Sequence, residues 1–404
     1  MVAASMKRRG IFQLENSKTM IVYLLVLLTV IGGKQLAALP ADEVVEQLEL
    51  AVERFLIQRK IPDQTELGFI LNHLHYQTKK DGVVGVQEIN IDKNIHQIAV
   101  IGDLHGDAES TKHIFQKVLL NKTFMESGMA VFLGDYVDRG QHGINVLTSI
   151  LAAKIVYGDR VIIIRGNHES ENLNRRYGFL DEVSRAYGHA FYHKTIAPFF
   201  KLLPVAYVAS VTSHTTLANR ILFVHGGLPR NATLDTLILR SKVDIPSSNN
   251  ITDQRYTHSL ENCLPEDAVQ DILWSDPSQT VHGKDTLNDY TKNPRGAGIL
   301  YSSEFYRKFA TENRVFAMFR GHQVVKNGFR RDFFNHYTVF SSSDYVGMKN
   351  KGAYAVLDVR CMRTTVTSDV DVIGLQNYKE VNLAHCIHAY PVIQKPENGT
   401  INNS

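Results

Sequence analysis

Five short apolar runs in this chain each end just before a glycine or a polar side chain, and no other feature restricts the fold as much. Gln97–Ile101 (QIAVI) leads into Gly102 and Asp103, Met129–Leu133 (MAVFL) into Gly134 and Asp135, and Arg160–Ile164 (RVIII) into Gly166 and Asn167. Ile221–Val224 (ILFV) precedes His225, and Val315–Phe319 (VFAMF) precedes Gly321 and His322. Such runs, rich in β-branched and aromatic residues, read as buried strands. Ile114, Phe115, Val118 and Leu119 repeat at helical spacing after the first run, so helices fall between strands. The expected class is therefore α/β. In such sheets the loops leaving the strands gather on one rim, where ligands bind. The flanking glycines permit tight turns and close backbone approach there.

Six residues of these loops offer oxygen or nitrogen donors: Asp103, His105, Asp135, Asn167, His225 and His322. They suffice for two metal ions held side by side. Asp103 and His105 would hold one ion; Asn167, His225 and His322 would hold the other. Asp135 is the candidate for the shared ligand, because a carboxylate has two oxygens. With no cysteine in the set, iron, manganese or zinc is favoured over copper(I) or an iron–sulfur cluster. A metal pair polarises phosphoryl oxygens and acidifies a bridging water, which suits attack on phosphate esters. His168 follows Asn167 directly and is the candidate general acid for the leaving alkoxide or phenoxide. Asp138 would orient it and stabilise its protonated form. Arg139 and Arg295 are candidates for gripping non-bridging phosphoryl oxygens, since a guanidinium matches phosphate bidentately.

In chain order, the segments GDLHGD, GDYVDRG, RGNHES and VHGGLP resemble the signature of the phosphoprotein phosphatase (PPP) family of metal-dependent serine/threonine phosphatases. WSDP at Trp274–Pro277, NPRG at Asn293–Gly296 and RGHQVVKNGF at Arg320–Phe329 agree with it, and the likeness runs from Gln47 to Asp358. It implies a metallophosphoesterase-type sandwich of two mixed β-sheets flanked by helices. It also implies in-line attack by a hydroxide held at the dinuclear centre, with no phosphoenzyme. It supports the ligand roles above, adding Tyr345 over the substrate cleft and Asp276 as a helper near the substrate. Three departures stand out. The first motif ends in Asp107, where eukaryotic members carry glutamine, and Gly321 replaces the usual alanine before His322, a mild change. The loop Ser341–Gly347 (SSSDYVG) stands where a type 1 phosphatase has SAPNYCG, so substrate preference and inhibitor sensitivity do not carry over. Two other readings compete: a small-molecule metallophosphoesterase of the dinucleotide polyphosphate hydrolase kind, and a catalytically silent phosphoprotein-binding module.

The formal net charge of +3 over 404 residues marks no nucleic-acid binder. The aromatic stretch Phe329–Tyr337 (FRRDFFNHY) reads as a strand pair rather than a nucleic-acid surface. Expected partners are phosphoprotein substrates, with regulatory subunits open. Met20–Gly33 (MIVYLLVLLTVIGG) is a fourteen-residue uncharged run after Lys7, Arg8, Arg9 and Lys18, and before Asp42, Glu43, Glu46 and Glu49. Its helical length of about 21 Å falls short of a bilayer's roughly 30 Å. That favours a signal peptide over residues 1–40, with an uncleaved type II anchor as the alternative and the only membrane contact expected. Either way the catalytic domain, expected over residues 41–365, would be lumenal or secreted. Sequons at Asn121, Asn231, Asn250, Asn398 and Asn402 are compatible with this. Of three cysteines, Cys361 and Cys386 could pair in an oxidising compartment, leaving Cys263 aside. Two apolar stripes, Val44, Leu48, Val52, Phe55 and Leu56, then Leu67, Ile70, Leu71 and Leu74, read as core-packed helices near the start of the domain. Residues 366–404 are expected to be a C-terminal extension, partly disordered, ending in a polar tail.

Overall fold

The computed structural model describes residues 41–81, 85–211, 219–242, 263–281, 289–370 and 382–392. Among them are fourteen strands: β1 (Val86–Asn90), β2 (Gln97–Ile101), β3 (Gly128–Phe132), β4 (Val161–Ile163), β5 (Ala206–Val211), β6 (Asn219–Val224), β7 (Asp276–Pro277), β8 (Tyr290–Lys292), β9 (Ile299–Tyr301), β10 (Val315–Arg320), β11 (Phe329–Phe333), β12 (His336–Val339), β13 (Ala353–Asp358) and β14 (Ile387–Pro391). All five apolar runs become strands. They form a six-stranded sheet in the order β1-β5-β6-β10-β12-β11, a five-stranded sheet in the order β14-β13-β2-β3-β4, and a small sheet β7-β9-β8.

Both large sheets are mixed. β2, β3 and β4 run parallel while β13 lies antiparallel to β2; β6, β10 and β12 run parallel while β5 lies antiparallel to β6. Strand side chains alternate between faces, and that alternation sorts the core. Ile98 and Val100 of β2 and Val131 of β3 meet Tyr207 of β5, Ile221 and Phe223 of β6 and Phe319 of β10 between the sheets. Their neighbours Ala99, Ile101, Ala130 and Phe132 face outward onto helices. Leu222, Val224 and Met318 do the same on the far side of the other sheet. Strands buried on both faces read as unbroken apolar runs rather than alternating ones, which is why the five were conspicuous.

The first stripe runs along the helix Ala41–Val52 and the π-helical turn Glu53–Ile57, the second along the helix Gln64–Asp81, and Leu48, Val52, Phe55, Leu56, Leu67, Ile70, Leu71 and Leu74 are buried. Arg54 and Glu66, in a buried bidentate pair at 2.9 and 2.7 Å, fasten the first segment to the second. The stretch Phe329–Tyr337 lies in the antiparallel pair β11 and β12. β14 comes from the segment expected as an extension, yet it pairs with β13 as an edge of the five-stranded sheet. Cys361 and Cys386 form a disulfide that ties this strand to the helix Val359–Val370, and Cys263 stands outside it. The apolar leader, the sequons at Asn250, Asn398 and Asn402, and the polar tail lie outside the described residues. Among the described residues no helix is long and apolar enough to cross a membrane.

Candidate metal centre

The loops after β2, β3, β4, β6 and β10 meet at one rim. Backbone bonds lace the first two together: the amides of Leu104 and His105 donate to Asp135 O at 3.0 and 2.9 Å, and that of Gly106 to Tyr136 O at 2.9 Å. Local geometry is unusual here. His105, Asp135, Asp138, Arg139 and His322 all have positive φ, between 46° and 69°. Non-glycine residues seldom adopt that conformation, and each instance costs about 1–3 kcal/mol. Five in one site mean that surrounding contacts hold the loops in shape.

Asp135 stands at the centre. Its Oδ2 lies 3.5 Å from His105 Nε2, and its Oδ1 lies 3.3 Å from His225 Nε2. Asp103 Oδ2 is 3.8 Å from His105 Nε2 on one side. On the other, Asn167 Oδ1 lies 2.8 Å from His225 Nε2 and 3.0 Å from His322 Nδ1, and those two ring nitrogens are 3.2 Å apart. His105 Nδ1 donates to Val137 O at 3.0 Å and His225 Nδ1 to Leu133 O at 2.9 Å. These bonds turn Nε2 of both rings inward, the nitrogen that each would offer to a metal ion in its neutral form, as metal-ligating histidines do. Donors of the groups His105, Asp135, His168 and Asp135, His225, His322 lie within 4.8 Å of one another, and Asp135 belongs to both.

The electrostatics agree with a site for cations. Burial pushes the Asp103 carboxyl up to about 6 and pushes His105 down to about 3. Burial and the neighbouring His225 hold His322 well below the usual histidine range. Burial would also raise Asp135, but the positive charge of His225 and His168 outweighs it and holds this carboxyl well below its ordinary value. Carboxylates and inward-facing imidazole nitrogens, removed from water and converging, are a donor set that two metal ions fit, a metal ion taking the place of the proton on His225.

The remaining candidates fall around this core. His168 Nδ1 donates to Asp138 Oδ2 at 2.7 Å, which fixes the tautomer. Burial alone would lower His168, but Asp135 and Asp138 outweigh it and the ring is held above its usual value. The exposed Arg139 guanidinium lies over the Tyr177 ring at 3.6 Å. Tyr345 covers His105 at 4.8 Å between ring centres. Asp276 departs from its expected role. It is 2% exposed, and its carboxylate accepts from Arg320 at 2.9 Å, Arg295 Nε at 3.0 Å and Asn293 at 3.1 Å. It holds Arg295 rather than facing the cleft. The Gly321 difference also reaches the centre, because a Cβ there would sit 2.3 Å from Asp103 Oδ1, the atom that accepts the His322 amide at 2.9 Å.

Four supporting residues escaped the sequence reading. Glu169 accepts the amides of Asp135, Tyr136 and Gly166 at 2.8, 2.9 and 2.8 Å, stapling two ligand loops. Asn174 donates to Asp138 Oδ2 at 2.8 Å and His168 O at 2.7 Å. Tyr177 supports Arg139, and fully buried Arg320 anchors Asp276. Glu169 and Arg320 lie inside motifs already singled out and were in reach. Asn174 and Tyr177 carry no spacing signal.

Comparison with known proteins accords with this geometry. Residues 96–326 match the family model described as calcineurin-like phosphoesterase. The chain is 32% identical over 267 residues to serine/threonine-protein phosphatase ppe1 of Schizosaccharomyces pombe, covering 65% of this chain and 75% of that one. It is 26% identical to the serine/threonine-protein phosphatase 6 catalytic subunit of Caenorhabditis elegans, covering 74% and 82%. With a probable serine/threonine-protein phosphatase of Encephalitozoon cuniculi it shares 28% identity over 74% of this chain, spanning 58% of that protein's length. Among solved structures, a protein serine/threonine phosphatase from Saccharomyces cerevisiae with similarity to human phosphatase PP5 aligns at a TM-score of 0.60. At 22% identity, over 86% of this chain and 96% of that one, this is a likeness of fold.

Proposed function

The chain belongs to the calcineurin-like phosphoesterase family, and on that footing we propose that it is a serine/threonine protein phosphatase, hydrolysing phosphoserine and phosphothreonine esters at a centre for two metal ions. One observation carries the reading: Asp135 turns one oxygen toward His105 and the other toward His225, as a carboxylate shared by two ions must. Asp103, His105 and Asp135 would hold one ion, and Asp135, Asn167, His225 and His322 the other. Manganese, or iron with zinc, suits this oxygen and nitrogen set. When bound, the metal ions supply Lewis acidity toward phosphoryl oxygens and a water acidified for attack.

The protein's own groups do the rest. Arg139 and Arg295 grip the phosphoryl oxygens and align the ester, Arg139 steadied by Tyr177 and Arg295 by Asp276. His168 gives its proton to the departing serine or threonine oxygen. Asp138 holds the ring so that its other nitrogen is free for that transfer, and keeps the ring protonated until then. Tyr345 closes over the cleft beside His105.

The chain from Ala41 onward, loaded with manganese, is expected to hydrolyse p-nitrophenyl phosphate and a phosphothreonine peptide. Turnover of the peptide should disappear in His168→Ala and Asp135→Asn. A clear preference for dinucleotide polyphosphates would sink the protein-phosphatase reading, and a folded, metal-loaded protein without turnover would leave a binding module.

We also place the catalytic domain in the secretory pathway, lumenal or secreted. The support is the apolar run Met20–Gly33 behind a basic flank, a Cys361–Cys386 disulfide, and exposed sequons at Asn121 and Asn231. Glycosidase treatment of the protein from its native cells should increase its gel mobility, and the shift should shrink in Asn121→Gln. An unglycosylated, fully reduced protein would overturn the placement.

A further inference from the structure

Asp107 closes the first motif, and none of the roles above uses it. We propose that Asp107 is a positioning residue: its carboxylate latches the Ser341–Asn350 loop to the loop carrying Asp103 and His105, and so sets the place of Tyr345 over the cleft. The Tyr345 part of this rests on the phosphatase reading; the latch itself does not.

The two oxygens of Asp107 divide the work. Oδ1 accepts the Ser110 amide at 3.0 Å, capping the helix Ala108–Ile114. Oδ2 faces the other way and accepts from Ser110 Oγ at 2.5 Å, the Ser343 amide at 3.0 Å and Ser342 Oγ at 3.2 Å. The Ser343 amide also lies 3.2 Å from Ser110 Oγ. Just before this point, the amides of Ser341 and Ser342 donate to Asp103 O at 3.1 and 2.8 Å. Just after it the loop closes on itself, with the Asp344 amide on Asn350 O and the Tyr345 amide on Asn350 Oδ1, both at 2.9 Å. Asp344, Val346, Gly347 and Lys349 all have positive φ, and for a β-branched valine that is a true outlier. A turn of that shape needs an outside hold. Asp107 supplies one two residues before Tyr345, whose ring lies 4.8 Å from His105 and 5.3 Å from Phe340.

The chemistry requires a carboxylate. An amide at 107 can keep its oxygen on the helix cap, but its NH2 then faces the Ser343 N–H, donor against donor. Hydroxyls can turn round; a backbone N–H cannot. Asp107→Asn therefore removes the latch with almost no change of shape.

Hydrogen exchange reads the latch directly. In Asp107→Asn the amides of Ser343 and Tyr345 should exchange at least tenfold faster than in the wild type, with the melting temperature little changed; unchanged exchange would overturn the proposal. Ser110→Ala, which leaves Asp107 in place, should show a smaller increase at the same amides and serves if Asp107→Asn does not fold. The kinetic arm is a double-mutant cycle on a phosphothreonine peptide. Asp107→Asn should lower kcat/KM about tenfold alone but less than twofold in a Tyr345→Ala background, at equal metal content. An equal loss in both backgrounds would mean that Asp107 acts through the helix cap or His105 instead. A wild type without turnover would count against the phosphatase reading, and exchange would still decide the latch.

Discussion

Asp138 has both carboxylate oxygens engaged inside the protein: Oδ2 takes His168 and Asn174, and Oδ1 takes the Phe179 amide at 3.0 Å. Replacing it with asparagine keeps the shape but removes the charge that favours a protonated His168. Asp138→Asn should lower kcat about 10²–10³-fold on a phosphothreonine peptide. On p-nitrophenyl phosphate the loss should be much smaller, because nitrophenoxide leaves without a proton; comparing the two substrates in steady-state assays checks this. Gly166 makes a steric point at the same scale. A Cβ there would lie 2.3 Å from the Asp135 amide nitrogen and 2.2 Å from its Oδ1. Gly166→Ala is expected to destabilise the fold by roughly 1–3 kcal/mol and to lower bound metal, read by calorimetry and metal analysis. The ligands were legible in sequence because each follows a strand-like run. Asp276 reads as a substrate contact in the sequence because a motif tells which residues gather near a site and not which way each one faces.

Elements hold these residues at their angles. The helix Glu171–Tyr177 presents Asn174 to Asp138 and ends with Tyr177 beneath Arg139. Tyr177→Ala should raise KM for phosphopeptide about two- to fivefold while changing kcat less, since a cation–π contact at an exposed guanidinium is worth about 0.5–1 kcal/mol. The next helix, Phe179–Tyr187, carries Glu182, which accepts the amides of Gly143 and Ile144 at 3.1 and 2.9 Å at the start of the helix Gly143–Tyr157. Burial pushes this carboxyl up to about 7, against about 4.3 for an unfolded glutamate. The folded state therefore binds the proton more tightly, and this contribution to stability is present at low pH and lost as pH rises through 7. Melting temperature should fall between pH 5 and pH 8, and Glu182→Gln should lack roughly 2 kcal/mol or less of that change. Helices at this level were only partly legible. Apolar spacing marked those packed on the sheets, whereas Glu171–Tyr177 buries only Asn174 and offers no stripe.

For the whole molecule, the two sheets bring five loops to one rim, and the C-terminal segment completes the five-stranded sheet. β14 is short and mostly exposed at the edge, so the disulfide bears on whether it stays paired. Closing a loop of 25 residues is worth about 3 kcal/mol. Cys361→Ser should lower unfolding stability by about that much, and reductant should lower the wild type but not the variant, as thermal or denaturant melts would show. The sequence by itself determined the five strands behind the ligand loops and the reaction class, and it named the candidate donors, because buried strands and metal ligands demand particular residue types at particular places. It also marked Asp107 as a departure without a role. Tertiary structure alone decided that Asp107 faces a loop more than two hundred residues away, that Asp276 supports Arg295, and that the C-terminal strand belongs to the sheet. These depend on which groups meet after the chain has crossed the molecule, and such partners leave no periodicity in the sequence around them.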